Sequence, residues 1–183
     1  MSENGNGHRP VRGQATNEHA AMTHWVVLRT RSRHEKKVHV ELVNRGIEAF
    51  LPLYGRWSHW KDRRKLVEFP LFPGYCFVRF NGTERLPVLK CTGVVSIVSF
   101  DGDIVPIPEH EIESIRRLVE SDLQFDPCPL IREGMTVEVT HGPLKGVVGR
   151  LVRKGSHARL VLSVDLIGQA VSVEVDASDV RAY

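Results

Sequence analysis

Apolar positions along this chain follow one period in its first two thirds and another after that. In "HWVVLRT", residues 25–28 make a short apolar run that predicts a strand. In "SRHEKKVHVELVNRG", Ser32 and Glu35 have the spacing of a capping box, so a helix is expected to start at Ser32. Val38, Leu42 and Val43 give that helix one apolar face, and Gly46 supplies its stop. "IEAFLPLY" predicts a second strand from Glu48 to about Tyr54. Residues 61–65 read as the polar tip of a hairpin, with Trp57 and Trp60 on one arm. "YCFVRF" is a third strand, "GTERLPVLKCTG" a short helix interrupted by Pro87, and "VVSIVSF" another strand turned back at 101–103.

The last element of this part is the best marked. In "PIPEHEIESIRRLVESD", Pro108 suits a first helical turn, with Glu109, Glu111 and Glu113 early and Arg116 and Arg117 late, as the helix dipole favours. Ile112, Ile115 and Leu118 or Val119 recur at helical spacing. Residues 23–123 therefore predict a mixed α/β layer, an antiparallel sheet flanked by helices. Residues 1–22, rich in Gly, Asn, His and Arg, show no period and are expected to be a disordered tail.

Pro127 and Pro129 break the pattern, and residues 124–130 are read as a linker. From there the period is two. Met135, Val137 and Val139 are expected to share a face, as are Leu160, Leu162, Val164 and Leu166, then Val171, Val173 and Val175. Turns fall at 142–143, 155–156 and 167–168. Short strands with regular turns over 131–183 predict a small β-barrel, close to the lower size limit of a self-sufficient core. The whole is an α+β chain: an N-terminal α/β sandwich followed by a small C-terminal barrel.

Composition adjusts this picture little. Of 183 residues, 42% are hydrophobic and 26% charged, as in soluble globular proteins. No run approaches the length of a membrane span, and no secretory signal is expected, so the expected location is the cytoplasm. Cys76, Cys91 and Cys128 are odd in number and far apart, which indicates neither a disulfide framework nor a zinc ribbon. Cys76 alternates with core positions and reads as a small apolar residue. The net charge of +3 is too mild to hold a polyanion alone but permits auxiliary contact with nucleic acid.

Candidate chemistry is sparse. "HEKKVH" looks like a zinc-protease motif, but His34 and His39 are five apart, about 140° around a helix, and cannot share a metal. "GPLKGVVG" lacks the Lys-Ser/Thr ending of a phosphate loop and precedes a strand, not a helix. No catalytic residue, metal site or cofactor is expected, and the chain does not read as an enzyme. In "RWSHWKDRRK", Arg56, Lys61, Arg63, Arg64 and Lys65 surround Trp57, His59 and Trp60. Basic groups and aromatic faces together suit unpaired nucleic acid; alternatively, the tryptophans cover the domain's own core. A second basic cluster, Arg29, Arg31 and Arg33, continues into Lys36 and Lys37. It fits a phosphate contact or a solvated helix entrance.

The corner "EFPLFPGYCFVRF" packs Phe69, Leu71, Phe72 and Tyr75 around two prolines and a glycine. Each buried aromatic is worth roughly 1.5–3 kcal/mol, so some of these side chains must face the core. The sharp bend stops all of them from doing so. At least one or two are expected to form an exposed apolar patch for a partner.

These stretches together resemble the NusG family of transcription elongation factors, which includes specialised RfaH-like antiterminators. "HWVVLRT", "LFPGY", "GVVSIVSF" and "PIPEHEIESI" are similar to the family's N-terminal NGN domain, and "VEVTHGPLKGVVGRL" with "LSVDLIGQAVSVEV" to its SH3-like KOW barrel. The resemblance covers about residues 24–183 and implies a monomeric, non-enzymatic factor that suppresses pausing or termination. It implies that the NGN domain binds RNA polymerase through Phe72, Pro73 and Tyr75, and that Arg31, Arg33 and Lys37 make a weak contact with single-stranded DNA or RNA. It also implies that the KOW domain uses Leu166, Ile167 and Gly168 to recruit Rho or a ribosomal small-subunit protein. RfaH-like members carry a His-Thr-Thr run where this chain reads "TERL", so that grip is not expected here. They also hold the KOW segment as a helical hairpin; the alternating valines at 171, 173 and 175 favour a constitutive barrel instead. The alternative is a translation-associated RNA-binding KOW protein.

Overall fold

A computed structural model describes residues 23–59, 64–81, 84–129, 134–154 and 157–183. The expected tail at 1–22, Trp60 with residues 61–63 of the expected hairpin tip, and the turn at 155–156 lie outside these residues, while Arg64 and Lys65 of that tip belong to a strand.

Among the described residues, nine strands and three helices precede residue 130. They are β1 His24–Thr30, α1 Glu35–Asn44, β2 Glu48–Phe50, β3 Leu53–His59, β4 Arg64–Pro70, β5 Tyr75–Phe80, α2 Arg85–Leu89, β6 Val94–Ile97, β7 Ser99–Phe100, β8 Asp103–Ile104, α3 Glu109–Glu120 and β9 Phe125–Pro129. After them come β10 Met135–Val139, β11 Val148–Lys154, β12 His157–Val164, β13 Gln169–Val175 and β14 Val180–Ala182. The first sheet has the order β2-β5-β1-β6, and its β1 pairs antiparallel to both β5 and β6. Strand alternation gives this sheet two apolar faces. Val26, Leu28, Cys76 and Val78 pack with Val38 and Leu42 of α1 and Val88 of α2. Trp25, Val27 and Phe77 pack with Ile112, Ile115 and Leu118 of α3. Among the described residues, β3 and β4 pair only with each other, as a separate two-stranded arm.

The second sheet runs β14-β10-β11-β12-β13-β9. Its buried face carries Val137, Val139, Leu160, Leu162, Val164, Val171 and Val173, which join α3 and Phe72 in one hydrophobic cluster. α3 therefore serves two layers: it lies against β12 as well as against the first sheet.

Several expectations need correction. The helix begins at Glu35, not Ser32, and no side chain caps it. The Ser32 carbonyl instead accepts from His34 Nδ1 at 3.0 Å, Arg33 takes a φ of 64°, and Glu35 bonds elsewhere. The strand expected from Glu48 to Tyr54 is split, because the Pro52 carbonyl turns to accept from Leu71 N at 2.8 Å. The expected linker contains β9, which pairs with β13 from Phe125↔Val173 to Pro129↔Gln169. Arg159 clamps this strand, donating to Asp126 Oδ2 at 3.0 Å and to the Ser172 hydroxyl at 3.1 Å. An edge position tolerates the missing N–H groups of the two prolines. Met135, expected to face inward, is exposed. Pro108 stands just before α3 rather than inside it.

Candidate functional site

The corner at 71–75 is pinned from three sides. Leu71 N donates to the Pro52 carbonyl, Thr30 N to the Gly74 carbonyl at 2.8 Å, and Gly74 N to the Glu35 carboxylate at 2.8 Å. Gly74 has a φ of +84°, a conformation that L side chains rarely adopt. Glu35 is 5% exposed, so its carboxyl group is taken out of water where it accepts from this turn. Its spacing from Ser32 suggests a capping box, and nothing in local spacing shows a bond to a residue 39 positions away.

The four apolar side chains divide differently from the expected patch. Leu71 and Phe72 are buried, at 1% and 2% exposure, and Phe72 meets Phe77 edge-on with centroids 5.9 Å apart. Phe69 is exposed and stacks obliquely on Tyr54 at 6.1 Å. Tyr75 is half-buried and pairs across the sheet with exposed Arg29. Pro73 is exposed at the tip. Of the corner residues singled out by the family resemblance, Pro73 and Tyr75 are accessible and Phe72 is a packing residue.

Arg31, Arg33 and Lys37 are all exposed around the start of α1. The loop carrying the arginines is fixed by Arg31 N donating to the Gly93 carbonyl at 2.8 Å. Gly93 is required there, because its φ is +105° and a Cβ would come within 2.8 Å of His34 Cβ. Leu166 and Ile167 form a single 3-10 turn closed by Gly168 in the left-handed region, φ 63°. Both side chains are partly buried against the cluster that includes α3.

Polar contacts line the junction of α3 with the second sheet. Arg117 donates to the Lys145 carbonyl at 2.7 Å and to Glu113 at 3.1 Å. His110, Glu111 and Ser114 of α3 face Thr136, Arg150 and Ser163 across a cleft of about 160 Å³. Burial, then the nearby Asp165 carboxylate, push the Glu111 carboxyl from 4.5 up to about 7. The folded chain thus holds a proton that the unfolded chain releases. That stabilisation is complete below about pH 4.5 and lost as pH rises through about 7.

Burial pushes the Cys76 thiol up to about 12 and raises Cys91 and Cys128, so all three stay neutral thiols at pH 7. Among the described residues no group of three His, Cys, Asp or Glu side chains is placed to hold a metal. No helix among them is long and apolar enough to cross a membrane.

Comparison with known proteins bears on this geometry. A family model described as "Transcription termination factor nusG" matches residues 23–116, just over half the chain. The transcription termination/antitermination protein NusG of Lactococcus lactis is 26% identical over 174 residues, covering 86% of this chain and 91% of that one. Its counterpart in Rickettsia bellii is 25% identical over 169 residues, covering 86% and 88%. A solved structure of NusG from Thermotoga maritima superposes with a TM-score of 0.52 at 22% identity, covering 89% of this chain and 98% of that one. The last match supports the fold. With the family model and the relatives, the chain belongs to the NusG family and is a non-enzymatic transcription termination/antitermination factor with an NGN-type α/β domain followed by a β-domain.

Proposed function

We propose that this factor binds RNA polymerase through the edge formed by Pro73 and Tyr75, with Phe72 holding that edge in shape from beneath, and thereby suppresses pausing or termination. Leu166, Ile167 and Gly168 recruit a second partner, Rho or a ribosomal small-subunit protein. Arg31, Arg33 and Lys37 touch an exposed single strand of nucleic acid. The factor acts as a monomer.

One observation carries this reading. Tyr75, Phe72, Leu166 and Ile167 all belong to a single hydrophobic cluster that spans α3 and the second sheet. Both docking surfaces are therefore partly engaged within the molecule. Polymerase binding and the packing of the β-domain on α3 compete for the same apolar area, and opening one exposes the other.

Binding of the full chain to core polymerase tests it. Tyr75→Ala removes a half-exposed ring at the edge and is expected to weaken binding at least tenfold with little change in melting temperature. Arg117→Ala removes the donor to the Lys145 carbonyl and is expected to strengthen binding, because the closed arrangement loses one contact. Unchanged polymerase affinity in Tyr75→Ala would overturn the proposed edge.

A further inference from the structure

Very little chain joins α3 to the β-domain. α3 ends at Glu120 and β9 starts at Phe125, so residues 121–124 connect them. Part of that link is tied back to the helix: the Ser121 hydroxyl donates to the Leu118 carbonyl at 2.7 Å and accepts from Leu123 N at 3.4 Å. β9 is the outermost strand of the second sheet, on the edge of β13. It is fastened on both sides. Its backbone pairs with β13 from Phe125↔Val173 to Pro129↔Gln169. Its Phe125 ring meets Tyr54 of β3 edge-on, with centroids 6.3 Å apart.

Chain reach turns this into a constraint. With β9 paired, the link from Glu120 to Phe125 spans at most roughly 17 Å. The β-domain can then hinge at the end of α3, but the gap beside that end stays narrower than a small domain, about 30 Å across. With β9 unpaired, the chain from Glu120 to Met135 reaches roughly 50 Å, and the whole α3 face becomes accessible to a large partner.

The pairing is also easy to break. Two of the five residues of β9, Pro127 and Pro129, carry no N–H. The side-chain clamp is uneven. Arg159 gives two bonds to Ser172 of β13, one to its hydroxyl and one to its carbonyl, both at 3.1 Å, and one to Asp126 of β9 at 3.0 Å. The Asp126 side chain is 77% exposed, and an ion pair so open to water contributes little. Arg159 therefore stays with β13 when β9 leaves. Pro129 pairs with Gln169, directly after Gly168, so unzipping also uncovers the strand that leads out of the turn proposed for the second partner.

We propose that β9 is a latch: paired to β13 it keeps the β-domain on α3, and the β-domain leaves α3 when β9 unzips. The latch regulates the competition proposed between polymerase and the β-domain, and rests on that reading.

Register makes the latch lockable. Cys128 lies opposite Ala170, and facing residues of an antiparallel pair stand about 4.5–5.5 Å apart, a separation that a disulfide bridges. Ala170→Cys thus lets oxidation lock β9 to β13 and reduction free it. Three quantities are read on the full-length protein: amide exchange over residues 169–173, the tumbling of each domain by NMR relaxation, and affinity for core polymerase. Phe125→Ala with Asp126→Arg removes both side-chain anchors of β9. It is expected to speed β13 exchange, to let the two domains tumble independently and to strengthen polymerase binding about tenfold. Adding Ala170→Cys and oxidising, with the bond confirmed by mass, is expected to restore common tumbling and to reverse the gain. Exchange and tumbling must change together; either changing alone, or neither, would overturn the latch. Independent tumbling of the oxidised variant would overturn it too. If tumbling follows the lock and polymerase affinity does not, the latch stands and the proposed competition falls.

Discussion

Phe72 and Trp57 sit in stretches that look alike in one dimension: large apolar residues among turn-forming or charged ones. In three dimensions one is 2% exposed and the other 64%. The difference lies in what surrounds them. Phe72 follows a bend whose backbone is tied to β1, to α1 and to the segment after β2, between a sheet face and α3, so closing over it completes a core. Trp57 stands on a two-stranded ribbon that packs at its base, where Tyr54 meets Phe125 with ring centroids 6.3 Å apart, and leaves the tryptophan largely open; ribbons of this kind are marginal by themselves. An apolar residue in a polar context therefore marks either a pinned corner or an unpartnered arm. The number of layers around it, rather than the residue itself, decides which.

The largest expected effect separates the two directly. Phe72→Ala should destabilise the chain by roughly 3–5 kcal/mol, whereas Trp57→Ala should stay within about 0.5 kcal/mol. Urea denaturation measures both, and equal losses would end the contrast. Next, Glu35→Ala leaves the Gly74 N–H without its carboxylate acceptor and should cost roughly 1.5–3 kcal/mol. Amide exchange at Gly74 should accelerate in step. No loss would mean that the corner holds itself and α1 merely rests beside it.

The smallest effect compares the two glycines. Gly74→Ala meets no atom within 4 Å but must hold a φ of +84°, which should cost about 1 kcal/mol. At Gly55 the nearest atoms to the added methyl belong to the exposed Leu66 side chain, which has room to shift, so Gly55→Ala should change stability by under about 0.5 kcal/mol. Thermal melts of the two variants check the order. A larger loss at Gly55 would show that Leu66 is held more firmly than its exposure suggests.

Much of the molecule is legible in the chain. α3 follows from Ile112, Ile115 and Leu118 and from its charge order, and β5 from "YCFVRF", because both patterns repeat within one element. The strands of the second domain follow from period two in part: β12 buries Leu160, Leu162 and Val164 and β13 buries Val171 and Val173, but Val161, Ala170 and Ser172 are buried too, Leu166 falls in the 3-10 turn and Val175 is half-buried. Where spacing misleads, the cause is most often a partner far away in sequence. Glu35 looks like a cap because Ser32 stands three positions before it, yet it answers to Gly74. Residues 125–129 look like a linker because prolines discourage strands, yet β13 offers a free edge and Arg159 a clamp. Met135 obeys the alternation of Val137 and Val139 but lies at the strand's first position, where it is exposed.

Sequence by itself determined most of the elements, though not β9, and it determined their two periods and the resemblance of these segments to one family. It also placed the candidate residues, since motif spacing is a property of the chain. Tertiary structure alone decided which of those residues face outward. It buried Phe72, exposed Trp57, drew Glu35 to the corner and made α3 the shared wall of two layers. The physical reason is range. Backbone preference and periodicity act over a few residues, whereas burial depends on which distant segments come to lie on top.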